Sequence, residues 1–347
     1  MNSRERVLRA FHHEETDRVP FNMRFAPDLA RKVREFVRKE DLEAYFDYDI
    51  RFVGYMSDQK TPDFSEYLGE IPENASVSPW GVALVQGNFL HFSRRINPMR
   101  HLTVDDLEGY PWPRYEPKIH EMRTQVKDIQ ASGYAAVSHY ECGSYEQACA
   151  LRGQEQFLID LGADPEFAEA LLSRIAQIKV RKAMANAEAG VDVVWIGDDL
   201  GTQNSLVFDP DIWRCMIRPP LQRIVDAIRS VREDVIIAYH SCGHVEPVSG
   251  ELADVGINVL ESVQPEANDV DKLKALHGDR LAFWGTMGAQ GTFPFGTVQD
   301  VRAEVRKRIA IMGESGGLML GPAHVLEPEV PVENVLAFFD EIKRTAM

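Results

Sequence analysis

The chain has 347 residues, 44% of them hydrophobic, enough to bury one barrel-sized core or two ordinary ones. A formal net charge of −16 repels nucleic acid and anionic lipid at long range, which argues against both as partners. The cysteines, Cys142, Cys149, Cys215 and Cys242, lack disulfide spacing, no run of about eighteen apolar residues occurs, and the opening MNSRERVLRAFHHEE is too charged for a secretory signal. A reduced, cytoplasmic protein without a membrane segment is expected.

In chain order, the pattern first predicts an amphipathic helix from Ser3 to His12, capped by Ser3, with Arg6 and Arg9 on the wet face and His12 and His13 at the surface. A strand-like run, VPFNMRF, follows from Val19. From about residue 50 to 120 the sequence is irregular and proline-punctuated, as in YPWPRYEP, and reads as an insertion or lid with room for one hidden strand. Beyond it, apolar strand runs alternate with helical stretches. The strands are YAAVSHY from Tyr134, VDVVWIG from Val191, VIIAYHS from Val235, INVLESV from Ile257, LAFWGTM from Leu281 and GLMLGPA from Gly317. The helices include PEFAEALLSRIAQIKVRKAMANAEAG and PPLQRIVDAIRSVRED, the second opened by proline, which suits a helix N-terminus. Nearly continuous apolar strands suit a parallel sheet covered by helices. One α/β domain over residues 1–347, a (β/α)8 TIM barrel, is therefore expected. A doubly wound sheet fits less well, because no Gly-x-Gly-x-x-Gly follows any strand.

Such barrels build their sites at the C-terminal ends of the strands. Those ends carry Arg24, then His139 and Glu141, then Asp198 and Asp199, then His240 and Cys242, then Glu261, Trp284 and His324. Any one of them is explained as a polar residue where a strand leaves the core; their convergence is not. His240 and Cys242, two apart on an extended segment, point to the same side and can reach one ion. Zinc takes about four N, S or O ligands, or three with one position open, so Glu261 and His324 complete a candidate metal set. The bland reading is a core histidine beside an inert thiol. Adjacent Asp198 and Asp199 raise one another's proton affinity, which suits acid/base work, or one can cap a helix while the other works. With Glu141 and Arg24 they form the candidate catalytic set, and His139, Trp284 and Met287 are candidate substrate contacts. The glycine-rich stretch Trp284–Thr297 lacks the P-loop lysine and reads as a shaped loop over the site.

The segments SRERVLRAFHHEETDRVP, LRGQEQFLIDLGADPE, WIGDDLGTQ, YHSCGHV, LAFWGTMGAQGTFPFGT and LGPAHVLEPEVPVENVLAFFDEI together resemble the uroporphyrinogen decarboxylase superfamily over essentially the whole chain. Within it the chain resembles the methyltransferase branch, which includes methylcobamide:coenzyme M methyltransferases and O-demethylase components. That resemblance implies a zinc-dependent enzyme moving a methyl group between a small molecule, a methoxylated compound or a thiol, and a corrinoid protein, with zinc activating the leaving oxygen or the thiol. No Asp-x-His-x-x-Gly motif occurs, so the corrinoid is expected on a partner protein. His240 and Cys242 match the branch's His-x-Cys zinc pair. The branch's later cysteine is replaced by His324, in the stretch Ala323–Pro331. Glu261 matches a ligand position of cobalamin-independent methionine synthase, a distant relative in zinc chemistry. True decarboxylases carry an arginine-rich motif where this chain has Asn22–Asp28, and only Arg24 stands in for it. The alternative is a metal-free carboxy-lyase using Asp198 or Asp199 with Arg24, and a third reading is a non-catalytic barrel with a structural zinc. Dimerisation is left open.

Overall fold

The computed structural model describes residues 1–87, 93–313 and 315–345, so residues 88–92 of the irregular stretch lie outside the described residues. In chain order the strands are β1 (Ile50–Val53), β2 (Ala75–Val77), β3 (Ala83–Gln86), β4 (Ser93–Ile96), β5 (Ala135–Ser138), β6 (Glu141–Cys142), β7 (Val193–Gly197), β8 (Ile236–Ser241), β9 (Val259–Ser262), β10 (Ala282–Met287) and β11 (Leu318–Pro322). The main sheet runs β1-β5-β7-β8-β9-β10-β11, with neighbours parallel and β6 an extra pairing on β7. Helices occupy the crossovers, and the sequential order without a switch point gives the α/β barrel.

Alternation along the strands sorts their residues between two cores. Val193, Trp195, Ile236, Ala238, Val259, Ala282, Trp284 and Met319 share a cluster inside the barrel, whereas Val194, Ile196, Ile237, Tyr239, Leu260, Phe283 and Leu320 pack against the helices. The inward series Ile236, Ala238 continues to His240, and Val259 continues to Glu261. Residues of both series are buried, which explains the unbroken apolar runs.

Three expectations are corrected. The run VPFNMRF forms no regular strand: Leu320 N–H donates to Pro20 O (2.8 Å), Asn22 N–H to Leu320 O (3.2 Å) and Asp49 N–H to Phe21 O (3.1 Å). The run thus closes the barrel between β11 and β1 through isolated bridges, Phe21 to Leu320 and Phe25 to Leu326. Proline has no N–H to donate, and the Phe21 N–H goes to the Asp49 carboxylate (2.9 Å) instead of a ladder partner. The strand anticipated within 50–120 is β1, next to an antiparallel hairpin-like sheet of β2, β3 and β4. The first helix runs Ser3–Phe11 and is capped by Asn2, not Ser3, in a capping box with Glu5. Its Arg6 is buried, donating to Asp17 (2.7 Å) and Asp49 (2.6 Å), because Val7 and Phe11 plug the inner core and carry Arg6 inward with them. Among the described residues no helix is long and apolar enough to cross a membrane.

Candidate metal centre and its surroundings

His240 ends the inward series of β8, and its ring is fixed from behind. Its Nδ1 is hydrogen-bonded to Glu261 Oε2 across the β8–β9 register, in which His240 and Glu261 are paired. That leaves Nε2 turned to Cys242 Sγ at 3.4 Å and Asp199 Oδ1 at 3.3 Å. Asp199 is tied down in turn by the Cys242 N–H (2.9 Å). One donor atom from each of Asp199, His240 and Cys242 lies within 4.8 Å of the others, the separation expected of ligands to one ion. Close backbone packing makes this possible: a Cβ on Gly197 would sit 2.2 Å from His240 O, and one on Gly243, at φ +78, 2.2 Å from Gly201 O.

The electrostatics suit a cation. Burial alone would push the His240 imidazole down, but the Glu261 carboxylate and the bonds to Asp199, Cys242 and Glu261 raise it well above its ordinary value. Burial opposes ionisation of Asp199, yet its bond to His240 carries it down to about 2. The Cys242 thiol is likewise pushed up by burial and brought down, on balance, by His240 and His324. Asp199 and Cys242 thus favour a positive neighbour, and the His240 imidazole between them is that neighbour.

The structure distributes the remaining anticipated residues as follows. Glu261 stands behind His240, where a carboxylate orients a ligating imidazole, and is also 3.6 Å from Arg24. His324 is exposed in the same cleft as Asp199 and Cys242, its Nδ1 3.1 Å from Val325 O. Arg24 lies over the Trp195 ring at 4.6 Å and lines a second cleft with His139, Tyr140 and Phe52. Val325 borders both clefts. Asp198 is buried and accepts the Glu146 N–H (2.7 Å) at the first turn of the helix Ser144–Arg152. Burial and the Glu146 charge push its carboxyl well above the usual range. Glu141 is taken up by two ammonium groups, Lys179 (2.9 Å) and Lys182, on the helix Pro165–Ala189. Trp284 is buried against Trp195 (5.0 Å) and donates to Asn22 Oδ1 (2.7 Å). Met287 is fully buried and lines neither cleft.

Two nearby residues escaped the sequence reading. Tyr140 packs edge-on to His240 at 5.2 Å and donates its hydroxyl to Glu146 Oε2 at 2.6 Å. Glu146 lies in a helix, so a list of strand ends could not reach it. Tyr140 does follow the strand run and was readable as a polar tip beside His139.

Residues 141–345 match the family model described as uroporphyrinogen decarboxylase (URO-D). A uroporphyrinogen decarboxylase of Chlorobium luteolum is 25% identical over 183 residues, covering 52% of this chain and 50% of that protein. One of Pelodictyon phaeoclathratiforme is 26% identical with the same coverage, so the match spans about half the length of these curated relatives. One of Pseudoalteromonas atlantica is 24% identical over 81% of this chain and 77% of its own. Among solved structures, a methyltransferase from Methanosarcina mazei shares the fold with a TM-score of 0.70 at 20% identity, covering 99% of both chains.

Proposed function

The chain belongs to the uroporphyrinogen decarboxylase family, and within it we propose a zinc-dependent methyltransferase that moves a methyl group between a small molecule and a corrinoid held by a partner protein. The observation that carries this reading is the Asp199, His240 and Cys242 donor set at the barrel mouth, backed by Glu261. Its mixed N, S and O chemistry fits zinc, with His324 lining the same cleft as the thiol. Zinc held there would supply Lewis acidity, drawing charge from a leaving methoxyl oxygen or lowering the proton affinity of a thiol acceptor.

The chain's own residues supply the rest. Glu261 holds the imidazole so that Nε2 faces the other donors. Arg24, Trp195 and His139 form a cationic and aromatic wall that orients a planar or anionic substrate beside those donors. Asp198 and Glu146, both raised mainly by burial, keep a proton close to the site, with Tyr140 linking Glu146 to the His240 ring. Phe295, 81% exposed on the rim of the Cys242 cleft, offers an apolar contact to a docking partner.

A metal-free carboxy-lyase is favoured by the names of the curated relatives and by Arg24 facing a cleft. The two readings separate in one assay. Methoxylated aromatics are offered with reduced cobalamin, and methylated cobalamin with coenzyme M. Methyl transfer in either direction, abolished by His240→Ala, supports the first; release of carbon dioxide from carboxylated substrates with no methyl transfer would overturn it.

A further inference from the structure

Ser262 closes β9 with φ +92, and the next residue, Val263, has φ +38. Neither is glycine, and a β-branched residue with positive φ is a genuine outlier, of the kind the surrounding structure must hold in place. Both are fully buried. Strand alternation puts Glu261 inside the barrel and would point Ser262 outward toward the helices. The left-handed backbone redirects it. Its hydroxyl donates to Ala323 O, and its oxygen lies 4.0 Å from Cys242 Sγ.

The neighbouring strand is shaped to permit this. Gly285 of β10 pairs with Ser262 and itself has φ +105; a Cβ there would meet Ser262 O at 2.5 Å and Ala323 Cα at 3.5 Å. Ala323 is thus gripped at both ends, its N–H by Met287 O (2.9 Å) and its carbonyl by the serine hydroxyl. The next residue is His324, which lines one cleft with Cys242. One side chain therefore touches both the sulfur and the backbone that delivers the imidazole.

We infer that Ser262 is a positioning residue for the metal centre, clamping the Ala323 carbonyl so that His324 stands in the cleft it shares with Cys242; this rests on the reading of the site as a metal centre. A hydroxyl-free residue leaves the 323–324 segment free to move, and the site then holds metal with Asp199, His240 and Cys242 alone. Glycine is the informative replacement, because it adopts φ +92 without strain while removing the hydroxyl.

The test is cobalt(II) titration of the metal-free full chain, followed by the sulfur-to-cobalt charge-transfer band, for wild type, Ser262→Gly, His324→Ala and the double variant. Ser262→Gly should remain folded with a cooperative melt and bind cobalt on the order of 10-fold to 100-fold more weakly, the usual cost of losing a group that orients a ligand. In the His324→Ala background the same change should cost little more, since both substitutions remove one interaction. Undiminished affinity in Ser262→Gly, or losses that simply multiply in the double variant, overturns the inference. Absence of cobalt binding by the wild type instead sinks the metal-centre reading itself.

Discussion

At the scale of single residues, Glu261 and Asp199 meet the two ring nitrogens of His240. Both are carboxylates at strand ends, but the β8–β9 register sets Glu261 beside His240 Nδ1, while the turn after β7 brings Asp199 to Nε2. Glu261→Gln should keep the metal stoichiometry and weaken affinity by roughly 10-fold to 100-fold, measured by competition with a chromophoric chelator. His240 gives a pH dependence of definite sign. Its folded-state proton affinity is raised, so it adds stability to the metal-free protein below about pH 6.5, its unfolded value. That contribution is lost as pH rises through the folded value. Metal must displace the same proton, so metal affinity rises over that range. Urea unfolding between pH 6 and 9 should show the metal-free protein losing stability faster than the zinc-loaded one; parallel curves would contradict this.

Elements explain what the sequence could and could not disclose. The inner strands were legible because burial on both faces leaves unbroken apolar runs, and the series Ile236, Ala238, His240 reads directly off a period of two. β1 was hidden because it has four residues with Arg51 among them, and VPFNMRF misled because an apolar run next to proline can bridge two strands without joining the ladder. Arg6 misread as solvent-facing because its partner Asp49 lies 43 residues away, which no local pattern encodes. The pairing of His240 with Cys242 was legible; the bend at Ser262 was not, because positive φ at serine leaves no mark in composition. Glycine contacts give a sharp contrast at this scale. Gly197→Ala drives a Cβ to 2.2 Å from a backbone oxygen and should destabilise by about 3 kcal/mol or more in chemical denaturation. Gly162→Ala, in the helix Gln154–Ala163 with nothing within 4 Å of the new methyl, should stabilise by roughly 0.5–1 kcal/mol.

For the whole molecule, the strand ends that carry the donors lie at one end of the barrel and a plug of the first helix closes the other. Asp49, with no exposure, accepts Arg6 at 2.6 Å and Arg18 at 2.7 Å, tying the first helix and the Pro20–Asn22 closure to β1. Asp49→Ala leaves two arginines under the barrel without this partner, and removing one member of a buried pair typically costs about 3–5 kcal/mol. Thermal denaturation should register that loss, while the metal affinity of the remaining folded protein stays near wild type because the plug is remote from the donors. In the proposed function, Asp199, His240 and Cys242 hold one ion. The most direct test is elemental analysis of protein purified with zinc present, alongside His240→Ala and Cys242→Ala variants verified as folded. About one zinc per wild-type chain and almost none in either variant are expected; a metal-free wild type, or variants that retain the wild-type zinc, would rule the shared ion out.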